Sequence, residues 1–141
     1  MMSAMYLASP HVLVTITAIG IGSFLGAVLR WYLSTFLNPL NTELPFGTLT
    51  SNLLGGYLIG IAISYFAINQ EVSPLWRLFI ITGFLGGLTT FSTFSAETVE
   101  LMIHSKFSKA ILLISLHLVG SIAATLIGIK SGKILFGTTS L

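Results

Sequence analysis

An apolar segment near the middle of the chain contains the sequence Gly83-Phe84-Leu85-Gly86-Gly87-Leu88-Thr89-Thr90-Phe91-Ser92-Thr93-Phe94-Ser95. Adjacent glycines weaken a helix, and Ser and Thr side chains offer the backbone other hydrogen-bond partners. Irregular backbone at membrane depth is tolerated only where it is buried in protein or faces water. If the segment crosses a membrane, its composition predicts a helix broken between about Gly86 and Thr90. The alternative is a continuous helix with a close-packed glycine face and hydroxyls bonded to their own carbonyls.

A break of this kind would create a polar site. Freed carbonyl oxygens suit a hard cation, and freed N–H groups suit an anion. Phe91 and Phe94 follow at a spacing of three, which puts both on one helix face, and Ser92 and Thr93 lie between them. The edge of an aromatic ring is positive, so edges turned toward a pathway would attract an anion without trapping it. Otherwise the rings are ordinary core or lipid contacts.

The composition of the whole chain favours a membrane protein. Of its 141 residues 54% are hydrophobic and 7% are charged, and the mean hydropathy is +0.96. A soluble domain carries about a quarter charged residues. There are no cysteines, which excludes disulfides and thiolate metal sites. The six basic residues are scattered, so we expect no nucleic-acid partner.

Four segments are long and apolar enough to cross a bilayer, since about 20 residues suffice. They cover approximately residues 12–33, 47–68, 75–103 and 110–129. Residues 1–11 contain no Lys or Arg and no obvious cleavage site follows, so the first segment is interpreted as a retained helix. We therefore predict an all-α membrane protein, with one transmembrane domain over residues 1–141 and both termini on the same side.

The positive charges give no orientation in the membrane. Cytoplasmic loops normally collect Lys and Arg. The side with the termini has Arg77, Lys130 and Lys133, and the opposite side has Arg30, Lys106 and Lys109. This balance is compatible with insertion in both directions and with an antiparallel dimer, although such small counts can also balance by chance.

A few other polar or small residues lie in the apolar segments. Asn52 could donate to an anion or bond a neighbouring helix, and His117 and Ser121 share a face of the fourth segment. Arg30, near the end of the first segment, could snorkel to the headgroups or place charge at a pore mouth. Glycine and alanine recur four residues apart in every segment, which predicts close helix packing within this chain or between chains.

The pattern favours ion conduction over catalysis. There is no HExxH motif, no Walker loop and no nucleophile with a base, so we expect no enzyme activity. One alternative is a small proton-coupled drug exporter, which needs a carboxylate deep in the membrane. Glu97 is the only remote candidate for that role. The other alternative is a packing subunit that transports nothing.

The sequence resembles the Fluc (CrcB) family of fluoride channels. The most specific resemblance is the run from Gly83 to Ser95. Weaker pieces are Gly26-Ala27-Val28-Leu29-Arg30-Trp31, Pro45-Phe46-Gly47-Thr48-Leu49, Asn52-Leu53-Leu54-Gly55 and Gly120-Ser121. The resemblance implies a dual-topology homodimer in the bacterial inner (cell) membrane, with two antiparallel pores that export fluoride passively and selectively.

The resemblance also implies roles for particular residues. The paired pore phenylalanines correspond to Phe91 and Phe94, and the pore asparagine to Asn52. The hydroxyl of the fourth helix corresponds to Ser121, and a vestibule arginine to Arg30. Backbone carbonyls of Gly86 and Thr89 would hold a structural sodium ion at the dimer centre. Relatives often have a small polar residue at the position of His117, where a histidine could add pH sensitivity.

Overall fold

The computed structural model describes residues 10–41 and 43–137, and this part of the chain is all-helical. Helix α1 is Pro10–Leu37, followed by a short 3-10 turn, Asn38–Leu40, and by α2, Phe46–Ile68. The third span, Pro74–Ile103, consists of α3, Pro74–Arg77, a π-helix, Leu78–Leu85, α4, Gly86–Leu88, and α5, Phe91–Ile103. Helix α6 is Phe107–Phe136.

Within the described residues, four helical spans are long and apolar enough to cross a membrane. The first and last are longer than the sequence pattern predicted. Helix α6 does not end before Lys130, as the sequence pattern predicted, but continues to Phe136. The next residue, Gly137, adopts a left-handed conformation, with φ of 77°, and caps the helix. Helix α1 likewise runs on to Leu37, because the first chain breaker is Pro39.

Glycines set how closely the spans pack. Helix α1 lies against the π-helix and α4, and α2 lies along α6. A methyl group added at Gly83 would lie 3.1 Å from the Cα of Gly22, and one added at Gly128 would lie 3.2 Å from the Cα of Gly60. The predicted small-residue contacts therefore form between helices of the same chain, where backbones can approach only without side chains between them.

The third span changes backbone conformation between α4 and α5. Thr89 has φ and ψ of −81° and 154°, and Thr90 has −150° and 122°, so both residues are extended. Helix α5 then starts with Thr90 as its N-cap, since the Thr90 hydroxyl accepts a hydrogen bond from the Thr93 N–H. The π-helix before it was not predicted. Its wider turns lie against the glycine face of α1.

The core is small and the outer surface is apolar. Leu85, Leu88, Ala62 and Phe66 form the buried cluster. Many large apolar side chains point outward, among them Phe24, which is 67% exposed. Such a surface suits lipid rather than water, and the four spans with this surface make the chain a multi-pass membrane protein.

Candidate functional site

A groove of about 410 Å³ lies beside the two extended threonines. It is lined by α2, the third span and α6. Six residues singled out in the sequence line it: Asn52, Gly86, Thr89, Phe91, Phe94 and Ser121. His117 lines it as well, and none of the described lining residues is Asp, Glu, Lys or Arg. The groove is therefore polar in places but carries no fixed full charge.

The side chain of Asn52 holds the extended backbone at Thr90. Its Oδ1 accepts the Thr90 N–H at 2.8 Å, and its Nδ2 donates to the Thr90 carbonyl at 3.0 Å. Nδ2 also lies 3.0 Å from Nδ1 of His117. Asn52 thereby satisfies backbone groups that a regular helix would have paired internally. Both of its amide hydrogens are engaged in this arrangement.

The extended pair leaves the carbonyl groups of residues 86–89 without their usual helical partners, and two of these residues, Gly86 and Thr89, were singled out from the sequence. In an unbroken α-helix the N–H of Thr90 would bond the carbonyl of Gly86, and the N–H of Thr93 would bond the carbonyl of Thr89. Here the Thr90 N–H donates to Asn52 and the Thr93 N–H donates to the Thr90 hydroxyl. The oxygens of Gly86 and Thr89 are released from the helical ladder as a result.

Three aromatic rings line one side of the groove. The centroids of Phe91 and Phe94 are 5.6 Å apart with planes at 64°, which is an edge-to-face contact. Phe94 in turn stacks on the ring of His117, at 4.5 Å and 29°. Phe91 is 79% exposed and His117 is 4% exposed. The row of rings thus runs from the outer face of the chain into its interior.

The remaining predicted hydroxyls differ in position. The half-buried Ser121 lines the groove, and within the described residues its hydroxyl forms no hydrogen bond. Ser92 and Thr93 are not among the lining residues. Their hydroxyls instead lie 3.2 Å and 3.1 Å from the Thr90 hydroxyl. In a single chain they support the start of α5.

Comparisons with known proteins identify the family. The sequence model of a family described as "CrcB-like protein, Camphor Resistance (CrcB)" matches residues 17–129. The chain belongs to this CrcB family. A relative from Nitrosospira multiformis is 55% identical over 86% of this chain and 94% of its own length. Relatives from Burkholderia pseudomallei, 53% identical, and Chromobacterium violaceum, 54% identical, are covered over 93% of their lengths and match 84% and 83% of this chain. All three are named fluoride-specific ion channel FluC.

Arg30 of this CrcB chain is not at a helix end. Helix α1 continues for about two further turns, and the Arg30 Nε donates to the carbonyl of Gly87 at 3.2 Å. Of the two alternatives for Arg30, snorkelling to the headgroups does not agree with this bond, and positive charge at a pore mouth stays a prediction. The sequence pattern could not show this, since the bond joins residues 57 positions apart. In this position Arg30 ties α1 to α4, next to the groove.

Glu97 of this CrcB chain lies in a second cavity, of about 420 Å³, on another part of the molecule. Its Oε1 accepts a hydrogen bond from the Thr48 hydroxyl at 2.6 Å. Glu43 is at the edge of the same cavity and pairs with Lys106, at 3.2 Å, and with Lys109. Hydrogen bonds and charge from these lysines hold the pKa of Glu43 below its ordinary value. The loops before α2 and α6 are joined in this way.

Side-chain metal ligands are not clustered in the CrcB chain. The described residues contain no group of three or more His, Asp or Glu side chains that could hold a metal ion. A cation at the groove would have to use backbone or hydroxyl oxygens, which are the ligands that a hard ion prefers. The released carbonyls of Gly86 and Thr89 are groups of that kind.

The contacts of two residues of the site were not predicted from the sequence, which offered for His117 only a possible pH sensitivity and for Thr90 only the end of the break. Thr90 caps α5 and is held by Asn52, and His117 bonds Asn52 and stacks on Phe94. Thr90 could have been found, because a Thr just before a helical run is an N-cap signal. The contact of His117 joins residues 65 positions apart, and no local pattern indicates it.

Proposed function

We propose that this chain is a fluoride channel that lets fluoride leave the cell passively and so lowers its cytoplasmic concentration. The observation that carries the proposal is membership of the CrcB family together with 55% identity, over 86% of the chain, to a relative named as a fluoride-specific ion channel. As a channel, the chain is not an enzyme. Its place is the bacterial inner membrane, which agrees with its four apolar spans.

The extended pair at Thr89 and Thr90 is the break that lies at membrane depth in this proposal. It supports a polar path because irregular backbone inside a bilayer has to face protein or water. A single copy leaves the groove open beside Phe91, which is 79% exposed. An ion moving along such a groove would meet hydrocarbon, and that is costly. A second copy has to close the path.

The second copy is an oppositely inserted one, so the channel is a dual-topology homodimer. The distribution of basic residues supports this. One end of the bundle has Arg77, Lys130 and Lys133, and the other has Lys106 and Lys109. Arg30 is not counted, because it lies within α1 and not at its end. Three against two is too small a bias to fix one orientation. Gly86 is also exposed, and a methyl group there would meet only the Ile81 carbonyl, at 3.7 Å. A close approach by the partner would account for a glycine at this position.

Fluoride is small and strongly hydrated, so the path has to replace its water with other positive groups. Along the groove, these positive groups are the ring edges of Phe91 and Phe94, the hydroxyl of Ser121 and the amide N–H groups at Asn52. Ser92 and Thr93 extend the polar path beyond it, and Arg30 adds positive potential from the α1 side. These groups attract the ion, and because no side chain among the described lining residues carries a full charge, the ion can still leave.

A structural sodium ion would be held by the carbonyl oxygens of Gly86 and Thr89. The hydrogen bonds of Asn52 and Thr90 support this assignment, because they occupy the N–H groups that would otherwise cover these oxygens. Bound between two copies, the ion would supply a positive charge that neutralises carbonyl dipoles facing each other across the interface.

Ion efflux from liposomes tests the function. Vesicles with the purified chain are loaded with fluoride or chloride, and release is followed with ion-selective electrodes against protein-free vesicles. We expect fast loss of fluoride and little loss of chloride. Equal chloride loss would refute selectivity, and no loss would support a packing subunit. If a proton gradient drives uptake into the vesicles, and Glu97→Gln abolishes that uptake, the result would instead support a proton-coupled exporter.

A further inference from the structure

The hydrogen bonds of Asn52 determine which nitrogen of His117 carries a proton. The Thr90 N–H can only donate, so the atom 2.8 Å from it must be the carbonyl oxygen of the Asn52 amide. The amide nitrogen then faces the Thr90 carbonyl and Nδ1 of His117, both at 3.0 Å. An amide nitrogen only donates, so Nδ1 of His117 has to accept. His117 is therefore neutral, with its proton on Nε2.

The Nε2–H of His117 has no partner within the described residues, although it is buried. The residue as a whole is 4% exposed. A buried donor without an acceptor is costly, and native proteins rarely keep one without a reason. His117 also lines the groove, stacks on Phe94, and lies one helical turn before Ser121, whose hydroxyl is unoccupied in the described part of the chain.

We propose that the Nε2–H of neutral His117 is a hydrogen-bond donor to the permeating anion, and that Asn52 acts as a positioning residue that sets the tautomer. This inference rests on the proposed function and deepens it, since it names a further binding group of the same groove. A neutral donor suits conduction, because it gives the anion one strong hydrogen bond without a fixed opposite charge. It also favours fluoride over chloride, since the smaller anion accepts the stronger hydrogen bond.

The donor can be removed or moved with matched substitutions at His117. In His117→Gln the side-chain amide reaches about as far as Nε2 and can donate there. In His117→Asn the amide ends near the position of Nδ1, so Asn52 keeps a partner but the groove loses its donor. His117→Phe keeps a ring to stack on Phe94 and removes both nitrogens. Fluoride efflux from liposomes is measured for each variant, and gel filtration and thermal unfolding verify that each one is folded.

We expect His117→Asn and His117→Phe to lose about tenfold or more of the fluoride efflux rate, whereas His117→Gln keeps a clearly larger part of it. An Asn variant or a Phe variant with the wild-type rate would overturn the inference. So would a Gln variant no better than the Asn variant. A wild-type chain that releases no fluoride would instead refute the proposed function, so the two failures are distinguishable.

Nitrogen NMR provides a second readout that does not depend on whether the variants fold. The chain has three histidines, and the signals of His117 in wild-type protein labelled with 15N-histidine are assigned by their absence from a folded His117 variant or, failing that, by contacts to Asn52. We expect an unprotonated Nδ1 and a protonated Nε2 whose chemical shift moves on addition of fluoride but not of chloride. A proton on Nδ1, or an Nε2 chemical shift that does not change on addition of fluoride, would overturn the inference.

Discussion

Phe94 has two aromatic contacts, an edge-to-face one with Phe91 and a stacked one with His117. We expect Phe94→Ile to lower fluoride efflux by about tenfold or more, because it removes a ring edge from the path and a stacking partner from His117. Phe91→Ile removes a ring edge from the path but leaves the stacking of Phe94 on His117, and it should also impair efflux severely. Liposome efflux is the measurement. Phe24→Ile, at a position 67% exposed on α1, is the control and should leave the rate unchanged. Wild-type rates in both groove variants would contradict the assignment of these rings.

At single residues, the sequence carries information where the signal is local. The Gly-Gly-Leu-Thr-Thr composition indicated irregular backbone, and the structure has Thr89 and Thr90 extended within that stretch. The sequence could not show that the Asn52 amide bonds Thr90 and His117, or that Arg30 bonds the Gly87 carbonyl. These contacts join residues far apart in the chain. The part of the site that depends on such contacts was accessible only from the fold.

At the scale of helices, glycine spacing controls the packing of α1 on the third span. A methyl group added at Gly22 would lie 2.8 Å from the backbone nitrogen of Phe84, whereas nothing lies within 4 Å of one added at Gly20. We expect Gly22→Ala to destabilise the fold by about 1–3 kcal/mol, since backbone cannot move aside. Gly20→Ala should be neutral or stabilise the helix by about 0.5–1 kcal/mol. Thermal unfolding in detergent distinguishes them, and equal effects would show that this contact does not limit packing.

Glu43, in the loop before α2, pairs with Lys106, just before α6, and with Lys109, in the first turn of α6. The folded chain lowers the pKa of Glu43, so the stabilisation is present above the pKa of the unfolded carboxyl and is lost as pH falls through the lower, folded value. Glu43→Gln should therefore lower the melting temperature slightly at neutral pH and not at all in strong acid. Glu71→Gln, an exposed carboxylate in the loop between α2 and α3, is the control. A Glu43→Gln deficit that persists in acid would contradict the ion-pair interpretation.

Element boundaries and types were predicted unevenly, for physical reasons. The four spans followed from apolar length, but the end of α6 did not, because lysines at a membrane surface do not interrupt a helix. The π-helix Leu78–Leu85 has an apolar sequence that fits any kind of helix, so its wide turns cannot be read from composition. They become understandable only beside the glycine face of α1.

At the scale of the whole molecule, the proposed dimer predicts an unusual topology. With few basic residues and no clear bias between the two ends, copies should insert in both orientations. Tags on the C-terminus should be found on both faces of the membrane in intact cells and after lysis. Adding lysines to one loop should drive all copies into one orientation and lower fluoride efflux. A C-terminus found on one face only would contradict the antiparallel dimer.

In the proposed function, the groove at Thr89 and Thr90 conducts fluoride in preference to other anions. The most direct test is the reversal potential of the purified chain in a planar bilayer with opposed gradients of fluoride and chloride. We expect a potential set by fluoride alone, about 59 mV for each tenfold difference in fluoride concentration. A reversal potential near zero, where both anions pass equally, or one that follows chloride, would contradict it.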